Sequence, residues 1–218
     1  MDYLQDIAAT HAELLDVGLS ALTEQGVIWV LSRLKLEIFR YPFCDEKIIL
    51  QTYPSGISGL FATREYLMKD EADNILVKGT SCWLVIDAKT YRPLKAASFL
   101  PENMPQNIDK ERFFPALGKI VKKEIPPELS FPVRHGDIDM NHHLNNAVFA
   151  RNILDCLCHK KNSFLSIQNL QLNFVSSGKL GELLCFGSEI SSDGSFYVHA
   201  VDPENQKIYI QAEGSLFP

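Results

Sequence analysis

No part of this chain approaches the about 18 consecutive apolar residues that a membrane-spanning helix needs; its apolar runs are short and interrupted. The metal-ligand spacings HxH, HExxH and CxxC are missing, and so are the Walker loop and GxGxxG. Gly-Ile-Ser-Gly at 56–59 lacks the spacing of a GxSxG nucleophile elbow. Basic residues are in deficit, 21 against 27 acidic, and a net charge of −6 argues against nucleic acid as a partner. Cysteine is sparse and odd in number: five, including the CxC of Cys156 and Cys158. This composition suits reduced thiols of a cytosolic protein better than a disulfide framework. The N-terminal stretch MDYLQDIAATHAELL has acids and no basic flank, unlike a secretory signal. A cytoplasmic location is therefore expected.

What remains is a globular chain of 218 residues, 46% hydrophobic, with ample material for a core. Residues 3–17 have helical spacing, with Leu4, Ile7, Ala8, His11, Leu14 and Leu15 on one face. His11 lies on that apolar face, where a hydrogen-bonded core histidine is the ordinary expectation. The period then changes. In RLKLEIF, Leu34, Leu36 and Ile38 alternate with Arg33, Lys35 and Glu37, as in a half-buried strand. Strands are also expected at KIILQTY, LFATREYLM and LVKGTSCWLVID, with turns at PSGISG and at residues 70–74. Residues 91–128 contain six prolines and read as a long connection. The order then repeats: a strand at FPVRHGD, a helix at about 145–159 with Ala147, Ala150, Leu154 and Leu157 on one face, and four more strands. Helix followed by antiparallel meander occurs twice. The fold class is thus α+β, two tandem hotdog units forming a pseudo-dimer in one chain. The expected boundaries are 1–95, a connecting segment 96–128, and 129–218.

The stretch DIDMNHHLNNAVFARNIL, residues 137–154, concentrates polar side chains ahead of a helix. Asn145 suits the N-cap. Asp139, Asn141 and His143 fall at i, i+2 and i+4, so an extended lead-in would point them to one side, at the positive end of the helix dipole. An acid, an amide and an imidazole suit acyl hydrolysis. A polar loop with a cap is the plainer reading. Metal binding is the weakest, because the adjacent His142 and His143 point apart.

RHGDIDMNHHLNNAVFARNIL resembles the signature of the acyl-acyl-carrier-protein thioesterases, R-x-x-D-(I/L)-D-x-N-x-H-(V/L)-N-N. HAELLDVGLSALTEQGVIWVLSRLKLEIFRYP, TYPSGISGLFATREY and SCWLVIDAKTYRPLK are similar to the same family's first hotdog, so the resemblance covers essentially the whole chain. It implies that Asp139, Asn141 and His143 form the catalytic set. Asn141 and helix N–H groups would polarise the thioester carbonyl, Asp139 would position water, and His143 would carry the proton to the leaving thiol. No metal or organic cofactor is implied. Two departures stand out. Family members carry a carboxylate on a later strand, where LNFVSSGKLGE offers Ser177, or Ser176 or Val175 if the alignment shifts; a slow enzyme is expected. The cysteine that plant members hold beside that acid has no counterpart in Cys185. Members also usually have a strand before the first helix, so the first sheet is expected to lack it.

The implied reaction releases free fatty acid from acyl carrier protein, with the acyl chain in an apolar channel of the first hotdog that Trp29 or Trp83 would line. An acidic carrier would be received by Lys119, Lys122 and Lys123, or by Arg151, Lys160 and Lys161, although either cluster also reads as a solvated face. A homodimer is left open. The rival readings are an acyl-CoA thioesterase and a degenerate acyl- or carrier-binding protein.

Overall fold

The computed structural model describes residues 1–101, 104, 105, 107 and 109–218. The four intervening positions belong to the expected connecting segment, 96–128, and lie outside the described residues. Two compact units emerge, residues 2–117 and residues 118–218.

The N-terminal unit begins with helix α1 (Asp2–Leu14) and helix α2 (Leu19–Glu24). The single helix expected over 3–17 is thus broken. Asp16 takes a left-handed φ of 55°, and the amides of Leu15 and Val17 both donate to the Ala12 carbonyl. Leu14 consequently leaves the apolar face and is exposed, whereas Leu4 and Ala8 are buried as expected. The short α2 has no legible period, yet its Leu22 is fully buried with Val27, Val85 and Ala96.

Strands β1 (Val27–Ile38), β2 (Ile48–Ser58), β3 (Phe61–Asp70) and β4 (Ile75–Asp87) form an antiparallel sheet in the order β2-β3-β4-β1, with the short β5 (Pro93–Leu94) on β4. Leu34, Leu36 and Ile38 are buried as their alternation predicts. The strand starts well before Arg33, because a bulge between Leu31 and Arg33 interrupts that alternation. PSGISG is not the turn expected. Strand β2 runs through it to Ser58 with a bulge between Pro54 and Gly56, and the chain reverses at Gly59 and Leu60. Proline is tolerated there because β2 is an edge strand and its ladder is already bulged. The turn at 70–74 is as expected: Asp70 Oδ1 accepts the amides of Ala72 and Asn74.

Residues 107 and 109–117 form no strand. They lie on one face of this sheet, held by side chains. Asn107 Nδ2 donates to the Pro54 carbonyl, Arg112 to that of Ser55 and Arg33 to that of Leu117. Tyr53 donates to the Glu111 carbonyl. The Phe113 amide donates to Glu65 Oε2 at 3.3 Å. Glu65 is only 1% exposed, and the hydroxyls of Ser55 and Thr80 also donate to it. A buried carboxylate needs such donors, since leaving it bare costs several kcal/mol.

The C-terminal unit contains β6 (Leu129–Pro132), helix α3 (Asn146–Lys161), β7 (Ile167–Phe174), β8 (Leu183–Ile190), β9 (Ser195–Val201) and β10 (Ile208–Leu216). All pairings are antiparallel, in the order β7-β10-β9-β8-β6. The strand expected at FPVRHGD ends at Pro132, followed by a single 3-10 turn at His135–Asp137.

Helix α3 is where the sequence predicts it. Its buried face is Val148, Phe149, Asn152, Ile153, Cys156 and Leu157, centred about a third of a turn from the expected face. Ala147, Ala150 and Leu154 are only partly buried. The larger Phe149 and Ile153 take the centre because burying each contributes about 1.5–3 kcal/mol, well above alanine. The Phe149 ring meets Phe174 edge-on at 6.1 Å.

The face of this sheet away from α3 is crossed by residues 118–128. Gly187 permits it: a Cβ there would lie 2.8 Å from the Ile125 carbonyl oxygen. The Lys123 amide donates to the Tyr197 hydroxyl, and the Glu128 amide to the Phe186 carbonyl. Residues 107, 109–117 and 118–128 of the proline-rich connection are thus a pair of straps, one in each unit.

Candidate functional site

The site candidates lie in the C-terminal unit, in the loop that leads into α3. Asn145 caps this helix, its Oδ1 accepting the Ala147 amide at 2.9 Å. The Val148 amide donates to the Asn145 carbonyl. These two first-turn donors are therefore committed to the cap. The positive end of the helix dipole remains.

Residues 138–144 are not the extended lead-in that the spacing suggested. Ile138 and Leu144 form an antiparallel bridge, and the five residues between them make a closed loop. Asp139 organises it. The Asp139 amide donates to the His143 carbonyl at 2.8 Å, and the His142 amide to the Asp139 carbonyl at 3.0 Å. Asp139 Oδ1 accepts the Asn141 amide at 2.8 Å and the His143 amide at 3.2 Å. The turn requires a left-handed φ of 60° at His142. Asp139 and His143 are half-buried, and Asn141 is exposed. Among the described residues, the Asn141 side-chain amide, the His143 ring and Asp139 Oδ2 have no hydrogen-bond partner. Loop closure thus brings the three residues together through the backbone and leaves three polar groups for a ligand.

Asp137 anchors the start of this loop, a role the sequence did not suggest. Its carbonyl accepts the Asn145 amide at 2.9 Å. Its carboxylate accepts the Arg134 amide and Arg151 Nη2, each at 3.0 Å. Partial burial would raise its pKa, but the Arg134 hydrogen bond and the Arg151 guanidinium outweigh it and hold the carboxyl below its usual value. The spacing of Asp137 and Arg151 fits no helical pair rule, because Asp137 precedes the helix.

Ser177 lies in the loop after β7 and is exposed. Its neighbour Gly178 accepts the Leu144 amide at 2.9 Å, which sets this loop beside the catalytic candidates. Gly178 is packed closely: a Cβ would meet Leu144 at 3.1 Å. Glu182, the first acid after Ser177, is engaged elsewhere, accepting the Tyr209 hydroxyl at 3.1 Å and the Lys179 amide at 2.8 Å. Cys185 is buried, 3.3 Å from the Ser130 hydroxyl. Burial pushes the Cys82 and Cys156 thiols up, away from the reactive thiolate.

Trp29 donates to the Val17 carbonyl and packs on the Leu22 cluster, and Trp83 donates to the Ser81 hydroxyl. The basic clusters are partly neutralised: Lys122 pairs with Glu124, Lys123 with Glu189, Arg151 with Asp137 and Lys160 with Glu128. No helix among the described residues is long and apolar enough to cross a membrane.

Known proteins resemble this chain in sequence and fold. The acyl-ACP thioesterase N-terminal domain matches residues 1–100, and the acyl-ACP thioesterase C-terminal domain matches residues 121–212. An oleoyl-acyl carrier protein thioesterase from Coriandrum sativum is 28% identical over 71% of this chain and 46% of its own length. A palmitoyl-acyl carrier protein thioesterase from Gossypium hirsutum is also 28% identical, over 71% of this chain and 41% of its own. The chain thus spans about half the length of the curated relatives it matches. An acyl-ACP thioesterase crystal structure from Bacteroides thetaiotaomicron superposes with a TM-score of 0.83 over 99% of this chain and 87% of that one, at 22% identity. The 12:0-ACP thioesterase from Umbellularia californica gives 0.79 over 100% and 88%, at 17% identity. These structures share the α+β fold expected. With both of the family's domains matched in order along it, the chain belongs to the acyl-ACP thioesterase family.

Proposed function

We propose that the protein hydrolyses the thioester of a fatty acyl chain carried on acyl carrier protein, with Asp139, Asn141 and His143 as the catalytic residues. The observation that carries this reading is the closed loop at 138–144. It fixes the backbone of all three residues and leaves the Asn141 amide, the His143 ring and Asp139 Oδ2 unengaged among the described residues.

Asp139 Oδ2 accepts a hydrogen bond from water and orients it toward the thioester carbonyl carbon. As the C–O bond forms, the Asn141 Nδ2 donor and the α3 dipole stabilise the oxyanion. His143 takes a proton from the attacking water and delivers it to the sulfur as the C–S bond breaks. The products are a carboxylic acid, which releases its remaining proton to solvent to become the carboxylate, and a free thiol. Ser177 would lie beside this loop with no charge to offer, so water is oriented by Asp139 alone. The reading includes a cytoplasmic location, supported by the five free cysteines, and docking of the carrier on a face that includes Lys119 or Lys161.

The test is a thioesterase assay across acyl-carrier substrates of graded chain length, repeated with matching acyl-CoA substrates. Turnover of the carrier-bound series, lost in His143→Ala, is expected. Faster turnover of the CoA series would reassign the substrate, and tight acyl binding without turnover by the wild-type chain would make it a binding protein.

A further inference from the structure

A second polar cluster lies in the N-terminal unit. Arg64 on β3 is 8% exposed. Its Nη1 donates to His11 Nδ1 at 2.9 Å and to Thr52 Oγ1 at 3.2 Å. Both acceptors are neutral, and among the described residues no carboxylate pairs with Arg64. The adjacent Glu65 is on the opposite face of the strand, engaged with Ser55, Thr80 and Phe113. A buried cation without an anion costs several kcal/mol and is usually paired or ligand-bound.

His11 and Thr52 are also part of the wall of an open cleft of about 550 Å³. Lys110, Thr10, Gln51 and Tyr53 line it too, together with Ile7, Leu14 and Leu50, and none of the described lining residues is acidic. Glu111 on the strap reaches instead toward Lys78 at 3.8 Å. The Lys110 ammonium lies 4.8 Å from the Tyr53 ring centre. A guanidinium can only donate, so His11 Nδ1 must accept and the ring proton resides on Nε2. Burial, then the charges of Arg64 and Lys110, keep this histidine neutral by lowering its pKa.

We propose that this cleft binds a small oxyanion, a carboxylate or a phosphate, which accepts hydrogen bonds from His11 Nε2 and the Lys110 ammonium and neutralises Arg64 behind them. Ile7, Leu14 and Leu50 give room for an aliphatic group beside a carboxylate. The site draws only on residues of the N-terminal unit and does not depend on the hydrolytic reading.

The experiment titrates inorganic phosphate and, separately, octanoate into the full chain at constant ionic strength, following the His11 imidazole by NMR and the thermal midpoint. A saturable His11 shift with a rise in midpoint is expected. The anion that saturates first identifies the source, free phosphate or an aliphatic carboxylate. Lys110→Met, an exposed position, should weaken binding about fivefold, the loss of roughly one charge-assisted contact. Arg64→Met should abolish the response and, without anion, melt at or above the wild type, because the uncompensated charge is gone. A non-saturating response to both anions, or unchanged affinity in Lys110→Met, overturns the proposal even where Arg64→Met yields no folded protein. So does an Arg64→Met protein that still binds.

Discussion

The Leu144 amide donates to the Gly178 carbonyl at 2.9 Å, and this one backbone hydrogen bond ties the loop before α3 to the loop after β7. The catalytic candidates and Ser177 therefore flank the same link, although they come from distant parts of the chain.

The two adjacent histidines should behave oppositely. His143→Ala should lower kcat by about 10²-fold or more, as expected for a proton carrier. His142 has the left-handed φ and no place in the proposed chemistry. His142→Gly should keep kcat and change stability by no more than about 1 kcal/mol, since relief at positive φ offsets glycine's entropy. Steady-state kinetics and denaturant melts of both variants check this, and equal kinetic losses would reject the assignment.

Asp139 has a structural and a chemical role that substitution can separate. Asp139→Asn retains Oδ1 as acceptor for the Asn141 and His143 amides but loses the charge that orients water. It should fold normally with kcat reduced about 10²-fold. Asp139→Ala loses the acceptor as well and should cost a further 1–3 kcal/mol or so of stability. If Asp139→Asn were fully active, Asp139 would be a loop organiser only.

Ser177→Glu should raise kcat with little change in KM, because a carboxylate beside the loop would help to orient water in the transition state rather than bind the ground state. Lys207 donates to the Ser177 carbonyl at 3.4 Å and could capture the new side chain. The double variant with Lys207→Met should then be faster still. No gain in either variant would mean that position 177 does not face the reacting atoms.

Asp137 makes the loop sensitive to acid. Its folded pKa lies below the ordinary value, so its stabilisation is complete above the ordinary carboxylate pKa and is lost as pH falls through the lowered one. Asp137→Asn should melt lower than the wild type at neutral pH, with the difference shrinking toward low pH. Thermal midpoints across that range would show it, and a pH-independent gap would assign the effect to packing.

The sequence exposed those features that depend on local period or local chemistry. Asn145 followed by an apolar run gave α3 and its cap, and alternation at Leu34, Leu36 and Ile38 gave the second half of β1. Where the backbone departs from its period, the signal failed: the bulge after Leu31 hid the start of β1, and the bulge at Pro54 made an edge strand look like a turn. The identities of Asp139, Asn141 and His143 were legible as a motif. Their arrangement was not, because it depends on main-chain bonds between Ile138 and Leu144 and between Leu144 and Gly178, which side-chain types do not encode. Arg64 was equally hidden, since a single arginine in an alternating strand looks solvent-facing.

The strap of residues 109–117 bears on how members of this family can be recombined. A hybrid joined at residue 95, where the first sheet ends, would replace the segment whose Phe113 amide serves the buried Glu65 and whose Arg112 serves the Ser55 carbonyl. The foreign strap would have to fit a carboxylate it did not evolve with. A junction between Leu117 and Gly118 leaves each sheet with its own covering, and it is there that exchanged halves should remain soluble.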